Sequence, residues 1–315
     1  MKVLITGGSG FIGSHYADAF VELNNDVTVF DSSPRKHEFR SKYVAGDILD
    51  RNAVDEAVRN NDIVIHAAGV LGTHETVFCS EETVNANIIG ALNVIRAVGQ
   101  YGNNLIQISK PNVWLNPYSI TKDCVEKFCF MHVNEFDSNI VILKLYNVYG
   151  PRQKYSHVRK AIPTWIVDAL NRRPIDIYGT GAAGVDLVST KDVCDGTVAV
   201  VNHFDRCKLQ KGRAISDNVC SLFPHYNEQI LELGSGKEVT VGYAAKILSG
   251  LMDLPAQIRH LPMRRGEVDG TNLCADISRL TAITGYVPRV NIVDGFRQTI
   301  RYYKDNLSRI ENGEL

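Results

Sequence analysis

The segment Thr6-Gly7-Gly8-Ser9-Gly10-Phe11-Ile12-Gly13 limits the architecture of this chain more than any other stretch. It follows the apolar run Val3-Leu4-Ile5 and opens a pattern that predicts a helix from Phe11 to about Leu23. The glycines of this G-x-x-G-x-x-G spacing have separate uses. Gly7 permits a tight turn, Gly10 lets a pyrophosphate approach the backbone, and Gly13 allows close packing of helix on sheet, while the helix N-terminus offers amide donors. Glycine-rich turns also serve ordinary loops; the position between a strand and a helix is what points to a dinucleotide.

Short apolar runs recur through the first two-thirds of the chain, at Asp26-Val27-Thr28-Val29-Phe30, Tyr43-Val44-Ala45, Ile63-Val64-Ile65, Leu105-Ile106-Gln107-Ile108 and Ile140-Val141-Ile142-Leu143, separated by helix-length segments. This alternation predicts an α/β fold, a Rossmann-type doubly wound parallel sheet. After Gly150-Pro151 the pattern becomes less regular. Residues 1–155 are therefore expected to form the NAD-binding Rossmann domain, with segments near 184–200 and 230–236 returning to it. Residues 156–315 are expected to form mainly a smaller, mixed α/β substrate domain, with a surface insertion near 203–229.

Composition narrows the function classes. The chain has 315 residues, 44% hydrophobic and 22% charged, with 34 Lys plus Arg against 35 Asp plus Glu. This balance and the lack of a basic block argue against a nucleic-acid partner. No apolar stretch reaches the length of a membrane span and no cleavable leader is visible, so a cytoplasmic protein without a membrane partner is expected. Seven cysteines, none in a C-x-x-C pair, indicate neither a metal site nor a disulfide framework.

Asp31-Ser32 closes the second strand about twenty residues beyond the turn, where a carboxylate accepts hydrogen bonds from ribose hydroxyls and repels a 2′-phosphate. NAD is favoured over NADP, with Arg35 and Lys36 nearby as the opposing feature. Asp47-Ile48 follows the third strand, placed either to flank an adenine or, for Asp47, to cap a helix. Tyr118 and Lys122 stand four residues apart, on one face of a helix. A phenol with an ordinary pKa near 10 needs a neighbouring cation to act as a base at neutral pH.

Taken together, these motifs resemble the extended short-chain dehydrogenase/reductases, in particular their nucleotide-sugar epimerase/dehydratase branch. Further matches are His66-Ala67-Ala68-Gly69, Asn87-Ile88-Ile89-Gly90, Asn147-Val148-Tyr149-Gly150-Pro151-Arg152-Gln153, Ile177-Tyr178-Gly179, Leu233-Gly234-Ser235-Gly236 and Arg264-Arg265-Gly266-Glu267. The resemblance implies that Tyr118 takes a proton from a sugar hydroxyl while Lys122 binds the nicotinamide ribose. It places Gly7, Gly10, Phe11, Ile12, Gly13, Asp31, Ser32, Asp47, Ile48, Ala67, Ala68, Gly69 and Asn87 around NAD. It assigns Asn147 and Arg264 to the substrate diphosphate, Tyr178 to the base and Glu267 to the nucleotide ribose. A homodimer through the Tyr118 helix and the helix near residues 84–101 is also implied.

Two departures stand out. Where the branch carries Ser or Thr to bond the reacting oxygen, counting back from Val113 reaches Lys110; either Lys110 makes that bond, or the register slips so that Ser109 does, or Lys110 points to solvent. Pro111-Asn112 replaces the Asp-Glu acid and base of the 4,6-dehydratases. Val185 replaces a diphosphate-binding arginine, with Arg152, Arg159 and Lys160 as substitutes. The expected activity is an NAD-dependent 4-epimerase of a UDP-hexose. A dehydratase or decarboxylase using the same C4 oxidation, or a non-catalytic NAD and nucleotide-sugar binder, are the alternatives.

Overall fold

The computed structural model describes residues 1–34, 40–111, 113–155, 158–211, 228–252 and 257–314. Its centre is a seven-stranded sheet of β1 (Lys2–Thr6), β2 (Asp26–Asp31), β3 (Lys42–Ala45), β4 (Ile63–His66), β5 (Asn104–Ser109), β6 (Asn139–Leu145) and a late strand, Leu231–Leu233. Every pairing in it is parallel. Read from one edge, the order is β3-β2-β1-β4-β5-β6 followed by Leu231–Leu233. The chain therefore reverses its direction of winding between β1 and β4, and a crevice opens at the carboxyl ends of those two strands.

A parallel sheet covered on both faces needs strands that are apolar throughout. Val3, Leu4, Ile5, Val64 and Ile65 are fully buried. Successive side chains feed opposite layers. Val3 and Ile5 pack with Tyr16 and Phe20 of α1 (Phe11–Glu22), whereas Leu4 and Val64 pack with Val94 and Val98 of a helix spanning Ala91–Tyr101.

After β6 the chain leaves this sheet. β7 (Asn147–Tyr149) pairs in parallel with Gly184–Ser189, which pairs antiparallel with Glu238–Thr240; Ile175–Tyr178 pairs with Ile258–Leu261. A second core of Trp165, Ile166, Ile177, Leu248 and Phe296 lies here. Of the two segments expected to rejoin the Rossmann layers, Leu231–Leu233 extends the main sheet and the helix Thr190–Asn202 packs on α1, through the Thr197 hydroxyl donating to Tyr16 Oη at 3.0 Å. The strand Gly184–Ser189 stays in the small sheet. Most of the expected insertion, residues 212–227, lies outside the described residues.

Asp186 ties these layers together. Its buried carboxylate accepts from Ser235 N (2.7 Å), the Ser235 hydroxyl (2.6 Å), Gly236 N (3.0 Å) and Ala275 N (3.1 Å). Asp186→Ala strands three backbone donors from two segments, and each unsatisfied buried group costs about 1–3 kcal/mol. Urea unfolding of this variant is expected to show a loss of about 3 kcal/mol or more, with Glu238→Ala on the exposed neighbouring strand close to neutral.

Candidate active site

A continuous cavity of about 790 Å³ runs from the glycine turn across the switch point to the second core. At its first end Gly7 has φ +72, and a Cβ there would lie 2.6 Å from Ala68 N. A Cβ on Gly13 would lie 2.2 Å from Gly7 O. Gly13 thus lets the helix start close against the turn itself. α1 has no side-chain cap, and its opening residues Phe11, Ile12 and Gly13 line the cavity. This bare end, with its positive dipole, suits a diphosphate.

Asp31 Oδ2 accepts from Ser9 N at 2.9 Å and Oδ1 from Ser33 N at 2.8 Å, which couples the turn to the end of β2. A carboxylate has lone pairs left after two bonds, so Asp31 remains able to hold a ribose. Asp47 accepts from Leu49 N at 2.9 Å and does not cap a helix; Asp50 caps the helix Arg51–Arg59. Ser32, Asp47, Ile48, Ala67, Ala68 and Gly69 all line the cavity. Arg35 and Lys36 lie outside the described residues.

Asn87 takes a different place from the one expected. It sits in a π-helical turn, Asn85–Gly90, and is not among the cavity-lining residues. Its amide donates to Val70 O (2.9 Å) and Thr121 Oγ1 (3.1 Å) and accepts from Val70 N (2.8 Å). These bonds tie the loop after β4 to the helix Pro117–Phe136, and a Cβ on Gly69 in that loop would meet Asn87 Oδ1 at 2.6 Å. Asn87 is a positioning residue for the cofactor wall.

Tyr118 and Lys122 belong to the helix Pro117–Phe136. Asn116 caps it by accepting from Ser119 N at 2.9 Å, and Pro117 occupies the first turn. Both residues line the cavity. Burial pushes the Tyr118 phenol up to about 12 and holds the Lys122 ammonium down to about 8, the latter against the opposing pull of Glu126. Lys122 Nζ donates to Ile108 O at 3.1 Å.

Lys110 points into the cavity, with Nζ donating to Ser119 Oγ (2.8 Å) and Pro111 O (2.5 Å) and lying 5.3 Å from the centre of the Tyr118 ring. Ser109 lines the cavity, but its hydroxyl donates to Glu126 Oε1 at 2.5 Å, so the slipped register has no free hydroxyl to offer.

Of the expected substrate residues, Asn147 and Lys160 line the cavity. Tyr178, Arg264 and Glu267 are not among its lining residues. Arg264 NH2 bonds Glu267 Oε1 at 2.5 Å and its guanidinium stacks 4.8 Å from the Tyr178 ring, while Thr73 donates to Glu267. Neighbouring contacts complete a clasp: Asn116 Nδ2 to Gly266 O (2.9 Å) and Trp114 Nε1 to Thr271 Oγ1 (3.0 Å). Arg264 and Glu267 pair with each other in this structure, and Thr73, which bonds Glu267, lines the cavity. Among the substitutes for the missing arginine, Arg152 bonds Asp18 (2.6 Å), Arg159 lies over Tyr155, and Lys160 alone of the three faces the cavity.

Over residues 4–299 the chain matches the family model described as GDP-mannose 4,6 dehydratase. The chain belongs to that family. It is an extended short-chain dehydrogenase/reductase, of a branch whose enzymes epimerise, dehydrate or decarboxylate nucleotide sugars. A relative from Bacillus cytotoxicus, UDP-N-acetyl-alpha-D-glucosaminuronate decarboxylase, is 25% identical, with 96% of this chain and 98% of the relative covered. The structure of an epimerase from Methanothermobacter thermautotrophicus superposes with a TM-score of 0.85 at 24% identity, covering 99% of this chain and 94% of that one. UDP-glucose 4-epimerase of Thermus thermophilus, in complex with NAD, superposes with a TM-score of 0.80 at 22% identity, covering 96% and 99%.

Family motifs pointed to most of the cavity wall but not to its electrostatic floor. Glu126, buried one turn after Lys122, receives the Ser109 hydroxyl and pairs with Lys144 Nζ at 3.1 Å, and burial raises its carboxyl above the usual range. A signal was present: Lys144 interrupts the apolar run of β6, and a lysine in a buried strand requires a partner. Glu126→Ala leaves Lys144 buried and unpaired beside two other lysines, and is expected to cost about 3–5 kcal/mol in chemical denaturation. Double replacement of Glu126 and Lys144 by Leu is expected to recover most of it.

Proposed function

We propose that this enzyme is an NAD-dependent nucleotide-sugar 4-epimerase acting on a UDP-hexose. The observation that carries the reading is Tyr118 and Lys122 side by side on the wall of a cavity that begins at a glycine turn without room for side chains. The cradle fits NAD: bare helix amides for the diphosphate, Asp31 for the ribose, and Gly69 beside Lys122 where a side chain would obstruct. NAD, when bound, supplies an acceptor and donor of hydride for a carbinol carbon.

Tyr118 Oη takes the hydroxyl proton. Burial holds its phenol protonated in the chain alone, while Lys110 beside the ring and Lys122 one turn on are cations that favour the phenolate. Lys122 holds its position through Ile108 O, and Asn87 fixes the opposite loop. Pro111 lines the cavity where a dehydratase would place its acid, and supplies no proton. Val185, Leu187 and Leu273 line the same cavity.

A homodimer through the expected helices has support in the exposed side chains of Ile89, Ile120 and Met131, at 46%, 54% and 37% exposure. Light scattering of the purified protein should give a dimer mass, and Ile120→Glu should shift it toward monomer.

Incubation with UDP-glucose and UDP-glucuronate, followed by mass spectrometry and proton NMR, tests the activity. A product of unchanged mass with inverted C4 coupling is expected, and Tyr118→Phe should lower the rate by about 10²–10⁴-fold while NAD stays bound. Loss of water or carbon dioxide would overturn the epimerase assignment.

A further inference from the structure

The end of the cavity that carries Tyr118 has an unusual charge balance. The cations lining the cavity are Lys110, Lys122, Lys154 and Lys160, of which Lys154 is exposed to solvent. The carboxylates that line the cavity, Asp31, Asp47 and Glu82, come from the end of β2, the turn after β3 and the helix Ser80–Val84; none comes from the segments bearing Tyr118, Lys110 or Lys160. Lys122 has its roles in the cofactor reading. Lys110 and Lys160 have none there.

Lys110 is held by two neutral acceptors, Ser119 Oγ and Pro111 O, which orient an ammonium without neutralising it. One of its three donors remains. Among the described residues, Lys160 Nζ makes no hydrogen bond or ion pair; Glu75 and Glu267 favour its charge from a distance, and Arg264 opposes it. Lys160 also caps the helix Ala161–Leu170 without a side-chain bond, so the positive end of that helix adds to the same region. Two cations lining one cavity, the charge of Lys160 acting against that of Lys110, are costly unless an anion offsets them.

We infer that Lys110 and Lys160 form a subsite for an anionic group on the hexose, so that the substrate is a nucleotide-linked sugar acid whose carboxylate sits between these two ammonium groups beside Tyr118. The inference rests on the nucleotide-sugar reading of the cavity. A carboxylate accepts from both ammonium groups through charge-assisted bonds, whereas a hydroxymethyl group leaves two like charges opposed.

This arrangement has a proton signature. Burial, and next the Lys160 charge, hold the Lys110 ammonium down to about 7 in the free chain; Lys122 and Lys144 act in the same direction, Glu126 opposes them, and the Tyr118 ring lies alongside. At pH 8 the amine is therefore largely neutral, and an incoming carboxylate must draw a proton onto it. Binding of a sugar acid is linked to proton uptake at pH 8 and tightens as pH falls to 7.

The test is calorimetric titration of the NAD-loaded protein with UDP, UDP-glucose and UDP-glucuronate, at pH 8 in two buffers of different ionisation enthalpy. UDP-glucuronate is expected to bind at least about tenfold more tightly than UDP-glucose, with net proton uptake seen for the acid alone. Lys160→Met should remove the preference while leaving UDP affinity within about twofold, and Lys110→Met should remove the preference and the proton uptake together. Equal affinities for the two sugars would overturn the inference and leave the nucleotide reading intact. Lys160→Met weakening all three ligands by one factor would overturn it as well, by making Lys160 a diphosphate ligand. Failure of UDP itself to bind would overturn the nucleotide reading on which the inference stands.

Discussion

The parallel sheet must be covered on both faces, and from that constraint the rest of the molecule follows. Strands such as Ile63–His66 are buried from end to end, so each crossover has to lay a helix on one layer or the other. Helices that follow β1 and β4 depart to opposite layers, and the backbone between them separates at the carboxyl ends. The cavity occupies that separation. Its walls come close enough that Gly7, Gly13 and Gly69 cannot carry a Cβ, and its chemistry is brought in by the ends of β5 and the helix that starts at Pro117.

Legibility in the sequence follows contact order. The glycine turn, Asp31 and the Tyr118–Lys122 pair could be read because each depends on spacing within one strand–turn–helix unit. Counting within one segment also brought Lys110 to its position. What could not be read depends on partners far away in the chain: Asn87 spends its amide on Val70 and Thr121, Asp186 on residues 235, 236 and 275, and Glu126 on Ser109 and Lys144. Arg264 and Glu267 carry a family motif, but a motif names residue types without saying whether two opposite charges will meet each other first. In this structure they do, across a clasp joining residues 264–271 to Thr73, Trp114 and Asn116. The strand Gly184–Ser189 has a pattern that suits either sheet, and its pairing with β7 and with Glu238–Thr240 puts it in the small one.

Around Tyr118 the structure accepts an electrostatic cost. The charges of Lys122 and Lys144 bear on Lys110 near the buried carboxylate of Glu126, and burial lowers the ammonium of both Lys110 and Lys122. A core designed for stability alone would not hold this arrangement. A phenol raised by burial gains most from it, because a cation in a low-dielectric wall acts on a neighbouring oxygen far more strongly than one in water. Glu126 keeps the group folded by neutralising Lys144, and it leaves Lys110 and Lys122 to face the cavity.

The two departures from the family pattern have a common consequence. Val185 lines the cavity with an aliphatic side chain where an arginine is expected, and Lys110 lines it with a cation where a hydroxyl is expected. The net change is a positive charge absent at position 185 and one placed beside the Tyr118 ring. Arg152 is engaged by Asp18 and Arg159 lies over Tyr155, which leaves Lys160 as the one of the three substitutes that lines the cavity. A substrate that differed from its relatives only in its base would give no reason for charge to appear beside Tyr118. A substrate that carries its own additional charge on the hexose does, and the buried Ser119 Oγ, by accepting from Lys110, orients that ammonium without neutralising it.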